Sequence, residues 1–131
     1  MAKLGEKIQT EDYMNEKHVP VIECPEQVES GEMFEVKVSL GKAIAHPNTT
    51  EHHIRWIELH FHPEGEDYVH DVGRFEFNSH GEGTDGPNKG AVHTHHCAAA
   101  MMQTTSPGTL HALAYCNIHG LWESSRELPL K

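Results

Sequence analysis

The chain has 131 residues, of which 10 are Lys or Arg and 20 are Asp or Glu, so its formal net charge is -10 with histidine neutral. This length fits one domain with one modest core. The acidic balance argues against a nucleic-acid-binding protein, which needs a basic surface, and no stretch approaches the roughly 20 apolar residues of a membrane-spanning helix. The unusual count is histidine, with 13 residues against three cysteines. Because histidine is the commonest metal ligand, the composition raises the question of a metal site.

The first 15 residues are polar and without a pattern, and we expect them to be a lead-in to a domain that covers residues 16–131. They contain no apolar segment of the kind found in a secretory signal. The three cysteines include no Cys-x-x-Cys pair, so a disulfide framework and a four-cysteine zinc site are both unsupported. A reducing cytoplasm is therefore the expected compartment.

Short apolar and β-branched segments predict strands along the body of the chain. The predicted strands are 33–40, 54–62, 69–72, 74–78 and 108–116. The glycine-rich segment 81–90 is expected to be a loop. The composition of 98–102, Ala-Ala-Ala-Met-Met, suits a helix, although the segment is short and uncapped. Many short strands with frequent turns favour an all-β fold, either an antiparallel sandwich or a barrel.

The segment 115–122 contains a candidate pair of metal ligands. It reads Tyr-Cys-Asn-Ile-His-Gly-Leu-Trp, with Cys116 at the end of a predicted strand and His119 three residues later. A thiolate and an imidazole at one strand-to-loop corner can bind a single metal ion. By itself this spacing is a weak signal, because buried free cysteines are common.

Two further segments carry histidines that could join this pair. His46 and His52 lie six residues apart, and a turn-forming Pro-Asn between them lets them converge on one point. His53 directly follows His52, so in an extended chain the two side chains face opposite ways, and we expect only one of them at that point. Residues 16–18 place a carboxylate, an ammonium and an imidazole in a row just before the body of the chain.

Together these segments resemble the superoxide reductase family of neelaredoxins and desulfoferrodoxins. The motifs that carry the resemblance occur in family order: Glu-Lys-His-Val-Pro at 16–20, His-Pro-Asn-x-x-Glu-His at 46–52, and Cys-Asn-x-His-Gly-Leu-Trp at 116–122. The chain lacks the cysteine-rich, rubredoxin-like N-terminal domain of the two-iron members, so it resembles the one-iron class. It also departs from the family at 93–99, where an apolar strand is usual.

The resemblance implies a mononuclear non-haem iron site on an immunoglobulin-like antiparallel β-sandwich. It implies four equatorial histidine ligands and one axial thiolate, which in this sequence are His18, His46, His52, His119 and Cys116. The family ligand directly follows the glutamate of the second motif, which selects His52 over His53. Glu16 matches the glutamate that occupies the sixth coordination position in the oxidised state, and Lys17 matches the lysine near the open face.

Such a protein reduces superoxide to hydrogen peroxide, and the resemblance implies a rubredoxin-like electron donor and a homotetramer. Because superoxide is an anion and the chain is net negative, positive charge within a Debye length of roughly 8 Å must attract it, and Lys17 is expected to supply that charge. The remaining histidines are expected to be surface or half-buried strand residues: His53, His60, His62, His70, His80, His93, His95, His96 and His111. His93 and His95 share a strand face and could bind an adventitious metal.

Three other interpretations use the same residue types. The pattern His-x-His-x3-Glu-x6-Gly at 60–73 matches half of a cupin metal motif, but Ile54 replaces the glycine expected before it and no second half-motif follows. A cupredoxin-like electron carrier needs a methionine soon after the last histidine, and 120–131 contains none. A non-catalytic histidine-rich metal buffer would bind several ions weakly, whereas the reductase binds one iron tightly.

Overall fold

The computed structural model describes residues 1–131, which fold into two antiparallel sheets. The strands are β1 (Val21–Glu23), β2 (Phe34–Ser39), β3 (Ile54–Pro63), β4 (His70–Glu76), β5 (Cys97–Met102), β6 (Gly108–Cys116) and β7 (Gly120–Leu128). One sheet has the strand order β1-β2-β5 and the other has the order β4-β3-β6-β7. This architecture confirms the predicted antiparallel β-sandwich. The chain forms no helix with the length and apolar character that a membrane crossing needs.

The core lies between the two sheets because their strands alternate apolar and polar side chains. In β2, Phe34, Val36 and Val38 are buried while the residues between them are exposed. Leu59 of β3 and Leu110 of β6 are fully buried in the same cluster. Removal of this apolar surface from water, at about 25 cal/mol per Å², holds the sheets together.

Residues 98–102 form a strand rather than the helix that their composition suits. They lie in β5, which pairs with β2 in an unbroken register from Phe34↔Met102 to Ser39↔Cys97. Pairing along a whole strand outweighs the weak helix preference of three alanines, because intrinsic propensity is small compared with tertiary packing.

Two other segments also differ from the sequence-based expectation. The two short strands predicted around Gly73 are one continuous strand, β4, in which Gly73 pairs with Leu59 and an irregularity between Leu59 and His60 absorbs the change in register. Strand β7 was not predicted, since its segment is mostly polar. It forms because β6 pairs with it along its length, from Gly108↔Leu128 to Cys116↔Gly120.

The lead-in is attached to the edge of the four-stranded sheet. It contains a short 3-10 helix at Leu4–Glu6, and Gln9 then forms a parallel bridge with Trp122 of β7. The Gln9 amide donates to the Leu121 carbonyl at 3.1 Å, and the Glu123 amide donates to the Gln9 carbonyl at 2.9 Å. These bonds cover part of an otherwise open strand edge.

The start of β3 and the end of β6 lie at the same end of the four-stranded sheet. Their register ends at Ile54↔Cys116. The loop that carries His52 therefore emerges beside the loop that carries His119, which brings residues more than 60 positions apart to one corner of the sandwich.

Candidate metal centre

Four side chains converge at this corner. The ligand atoms of His18, His52, Cys116 and His119 all lie within 4.8 Å of one another. His18 Nε2 lies 3.1 Å from His119 Nδ1, and Cys116 Sγ lies 3.8 Å from that same Nδ1. Imidazole nitrogens and a thiolate at these separations surround a point that one transition-metal ion can occupy.

The ring of His46 completes a quadrilateral of imidazoles. Adjacent ring centroids are 4.9 Å apart for His18–His46 and His46–His52, 5.0 Å for His52–His119 and 4.5 Å for His18–His119. The diagonal pair His18 and His52 lies 6.3 Å apart. His46 stands outside the closest group of ligand atoms, but its ring is adjacent to both rings of that diagonal pair.

The hydrogen bonds of these rings leave Nε2 atoms available to a metal ion. His46 Nδ1 donates to the Pro47 carbonyl at 2.6 Å, and His18 Nδ1 donates to Glu16 Oε1 at 2.6 Å. A neutral imidazole whose Nδ1 carries the proton has its lone pair on Nε2. The Nε2 atoms of His46 and His52 are buried without a hydrogen-bond partner. A metal ion would satisfy both atoms, so the donor set fits one.

Burial favours the neutral form of His18, His46 and His52. It lowers the pKa of His46 to about 4, and it is also the main cause of the lowered pKa of His18 and of His52. The positive charge of Lys17 further lowers the pKa of both His18 and His52. Rings that are already neutral bind a metal without first losing a proton.

Glu16 orients His18 in this structure. Its Oε1 accepts from the backbone N of His18 at 3.1 Å as well as from Nδ1. Burial alone would raise the pKa of Glu16, but the hydrogen bonds from His18 outweigh it and the pKa is lowered. An ionised carboxylate on the outer nitrogen of an imidazole fixes the tautomer and increases the basicity of the inner nitrogen.

Two glycines let the backbone approach this corner. Gly41 has φ +81°, and a Cβ there would lie 2.9 Å from the backbone N of His46. Gly120 also has φ +81° and closes the three-residue loop between β6 and β7, where it pairs with Cys116. Glycine adopts this left-handed conformation without steric cost. The tight loop places the His119 amide 3.4 Å from Cys116 Sγ, to which it donates.

Trp122 covers one side of the cluster. Its ring stacks on His18 at a centroid distance of 5.1 Å, and its Nε1 donates to the His119 carbonyl at 3.1 Å. The indole therefore limits water access to the His18 ring while it holds the His119 loop in place.

Three histidines expected at the surface or half-buried on strands are in fact buried. His53, His80 and His96 are 4%, 3% and 4% exposed. His53 and His80 stack face to face at 3.5 Å, and His96 lies 5.7 Å from the ring of His46. All three lie outside the strands: His53 directly precedes β3, His80 follows β4, and His96 directly precedes β5. The alternation of residues along a strand carries no information about contacts made in loops.

The remaining candidate metal residues do not converge on a second centre. His60 Nε2 lies 3.3 Å from Glu58 Oε1, and His62 Nε2 donates to the Glu66 carbonyl at 2.7 Å, so the cupin-like pattern is spread along a sheet face. The ring of His95 lies 4.5 Å from the buried His96 ring. His53 does not belong to the converging group, whereas His52 does.

The fold and the cluster together define a β-sandwich metalloprotein with a histidine and cysteine site. Residues 10–125 match the family model described as Desulfoferrodoxin. The chain belongs to the desulfoferrodoxin family.

Relatives in this family match the chain along nearly its whole length. The neelaredoxin of Megalodesulfovibrio gigas is 54% identical over 129 residues, which cover 98% of this chain and 99% of that protein. The superoxide reductase of Pyrococcus furiosus is 54% identical over 121 residues, which cover 92% of this chain and 95% of that protein. The structure of reduced Archaeoglobus fulgidus superoxide reductase (neelaredoxin) superposes with a TM-score of 0.88 at 52% identity, covering 94% of this chain and 98% of that one.

Proposed function

We propose that this protein is a superoxide reductase that converts superoxide to hydrogen peroxide at a mononuclear iron centre. The observation that carries the proposal is the convergence of three imidazoles and a thiolate within 4.8 Å, in a chain of the desulfoferrodoxin family. Bound iron supplies the electron for the reduction. The proposed domain is 16–131, which contains all of the converging residues.

We assign five protein ligands to the iron: His18, His46, His52, Cys116 and His119. The unpartnered, buried Nε2 atoms of His46 and His52 support the assignment of both rings. His18 Nε2 and His119 Nδ1 lie 3.1 Å apart. This close approach would be favourable if both nitrogens bound the same cation. A thiolate ligand increases the electron density at the metal, which favours reduction of the substrate.

Lys17 attracts the substrate in this proposal. Superoxide is an anion and the chain has a net charge of -10, so the average field of the protein opposes its approach. The positive charge of Lys17 acts on both His18 and His52, whose pKa it lowers, and this supports a role for the ammonium at the site. Local positive charge there raises the encounter rate, and the ammonium can also hold a water that donates a proton to the product.

Glu16 is proposed as an additional iron ligand in the oxidised protein. Its half-buried carboxylate lies on the outer nitrogen of His18, at 2.6 Å. A rotation of the side chain away from His18 would free an ionised oxygen to approach the centre. The lowered pKa of this carboxyl keeps it ionised and ready to bind a cation.

The partners and location are proposed from the resemblance and from the exposed side of the site. We propose a rubredoxin-like electron donor that docks beside His119, where the neighbouring Ile118 is 59% exposed. A homotetramer is proposed from the family resemblance. The three cysteines are free, which supports the reducing cytoplasm as the location.

Iron analysis combined with an optical spectrum of the oxidised protein tests the proposal. We expect one iron per chain and a visible thiolate-to-iron charge-transfer band that gives a blue colour. Several weakly bound ions per chain without that band would instead support a metal buffer and would overturn the reductase assignment. Light scattering and a reduction assay with purified rubredoxin test the assembly and the donor separately.

A further inference from the structure

Asn117 holds the two peptide groups on either side of His52. Its Nδ2 donates to the Glu51 carbonyl at 2.9 Å, and its Oδ1 accepts from the His53 amide at 2.9 Å. Its own backbone N donates to the His53 carbonyl at 3.2 Å. One residue, which directly follows Cys116, thus makes three hydrogen bonds to the segment that carries His52.

These bonds extend the β3–β6 pairing beyond the point where the strands stop. The regular register ends at Ile54↔Cys116, and it is already irregular between Ile54 and Trp56. A side-chain amide has the same donor and acceptor as a peptide group. Asn117 therefore replaces the missing peptide of a longer β6 strand and joins the two loops across the corner.

The ring of His52 depends on this backbone support more than its neighbours do. His18 is held at Nδ1 by Glu16, and His46 is held at Nδ1 by the Pro47 carbonyl. His52 makes its hydrogen bonds through its backbone, with its N donating to Thr49 Oγ1 at 3.1 Å and its carbonyl accepting from the Thr49 amide at 2.9 Å. Its Nε2 is buried and unpartnered. With no bond to orient the ring, its position follows the peptides that Asn117 holds.

We infer that Asn117 is a positioning residue that holds His52 at a fixed distance from Cys116, so that both reach the same metal ion; this rests on the proposed function. The residue lies between two proposed ligands in sequence and reaches a third through space. Loss of its side chain leaves the Glu51 carbonyl and the His53 amide unpaired and lets the His52 loop move away from Cys116.

Titration of the metal-free protein with Co²⁺ alone tests this role without reference to activity. The absorption bands of Co²⁺ report the number of ligands and the cobalt–thiolate bond. For Asn117→Leu we expect binding roughly 10- to 100-fold weaker, the usual effect of losing a residue that orients a ligand, and bands of a lower ligand number. Asn78→Leu is the matched control, since Asn78 is an exposed amide on the loop after β4, and its affinity should equal that of the unmodified protein.

A double-mutant cycle with His52→Ala separates a positioning role from general destabilisation. If Asn117 acts through His52, Asn117→Leu weakens Co²⁺ binding in the unmodified background and has less than a twofold effect in the His52→Ala background. An equal loss in both backgrounds would show that Asn117 supports the fold and not the ligand. Thermal unfolding of each metal-free variant confirms that the compared proteins are folded.

Asn117→Asp gives an intermediate case. The carboxylate still accepts from the His53 amide but cannot donate to the Glu51 carbonyl, so binding should fall between those of the unmodified protein and Asn117→Leu. Unchanged binding by Asn117→Leu, in a protein whose unmodified form binds one Co²⁺ through the thiolate, would overturn the inference while leaving the proposed function intact. Failure of the unmodified protein to bind Co²⁺ would contradict the proposed function itself.

Discussion

The histidines at the candidate metal centre and those on the outer face of the four-stranded sheet carry the same imidazole nitrogens, but the surroundings of these nitrogens differ. At the corner, neighbouring imidazole centroids are 4.5 to 5.0 Å apart, and two buried Nε2 atoms have no partner. The half-exposed His60 on the outer face bonds to Glu58, and the exposed His70 at the start of the edge strand β4 bonds to Glu66 at 3.1 Å. The rings of His60 and His70 are therefore already hydrogen-bonded to carboxylates of the protein.

This difference shows that unsatisfied, converging donors distinguish a metal site from a merely histidine-rich surface. A buried nitrogen without a partner costs free energy that a bound metal recovers. A surface imidazole bonded to a carboxylate gains little by releasing it.

Replacement of the thiolate should have the largest effect on the corner. Cys116→Ser should remove the visible charge-transfer band of the oxidised protein and weaken iron binding by more than roughly 100-fold, since loss of a direct ligand exceeds the loss of an orienting group. Cys97→Ser is the control, because Cys97 lies outside the converging group. Survival of the band in Cys116→Ser would show that the assigned sulfur is wrong.

Removal of the positive charge should slow the capture of superoxide. We expect Lys17→Ala to lower the rate constant roughly 10-fold and to flatten its dependence on ionic strength, because local steering is screened by salt. Pulse radiolysis measures both quantities. Lys37→Ala, on an exposed position of β2, should leave them unchanged. An equal rate constant for Lys17→Ala at low salt would remove Lys17 from the site.

Glu16→Ala should change the oxidised state more than the reaction rate. The variant loses the acceptor for His18 Nδ1, so iron binding should weaken by about 10-fold. The ferric absorption band should shift, while superoxide capture stays near normal. Optical spectra of the oxidised variant and of the exposed control Glu26→Ala make the comparison. Identical bands in the two variants would exclude Glu16 as a ligand of the oxidised centre.

His111, on the outer face, should give a small pH dependence of stability. Burial is the main cause of its lowered pKa, Glu123 opposes the shift, and the nearby His60 and His62 add to it. The unfolded chain therefore binds more protons than the folded protein below about pH 6.5, so stability falls as the pH falls through this range. Thermal unfolding of metal-free His111→Gln from pH 7.5 to 5 should show a flatter slope. A slope as steep as that of the unmodified protein would contradict this origin.

The joint replacement of His60 and His62 by alanine should leave the metal corner unaffected. Their rings lie on the outer face of β3, and His62 is bonded to the Glu66 carbonyl. Iron content and the charge-transfer band should match those of the unmodified protein. Loss of the iron in this variant would support the cupin-like interpretation.

The candidate ligands could be predicted from the sequence because they lie in short local motifs. Cys116 and His119 share one hairpin loop, and the Pro-Asn turn after His46 leads back toward His52. Strands β2, β3 and β6 were also predicted, since their apolar residues alternate with the period of a half-buried strand. Strand β5 was not, because alanine and methionine carry no such signal and only pairing with β2 decides their conformation.

The amino-acid order alone therefore specified the donor types, the alternating strands and the family. Only the tertiary structure decided which distant residues meet: His18 opposite His119, Gln9 on the edge of β7, the buried stack of His53 on His80, and Asn117 across the corner from His52. The physical reason is that hydrophobic periodicity reports which face of a strand is buried, whereas hydrogen bonds between loops depend on how two sheets close around one core.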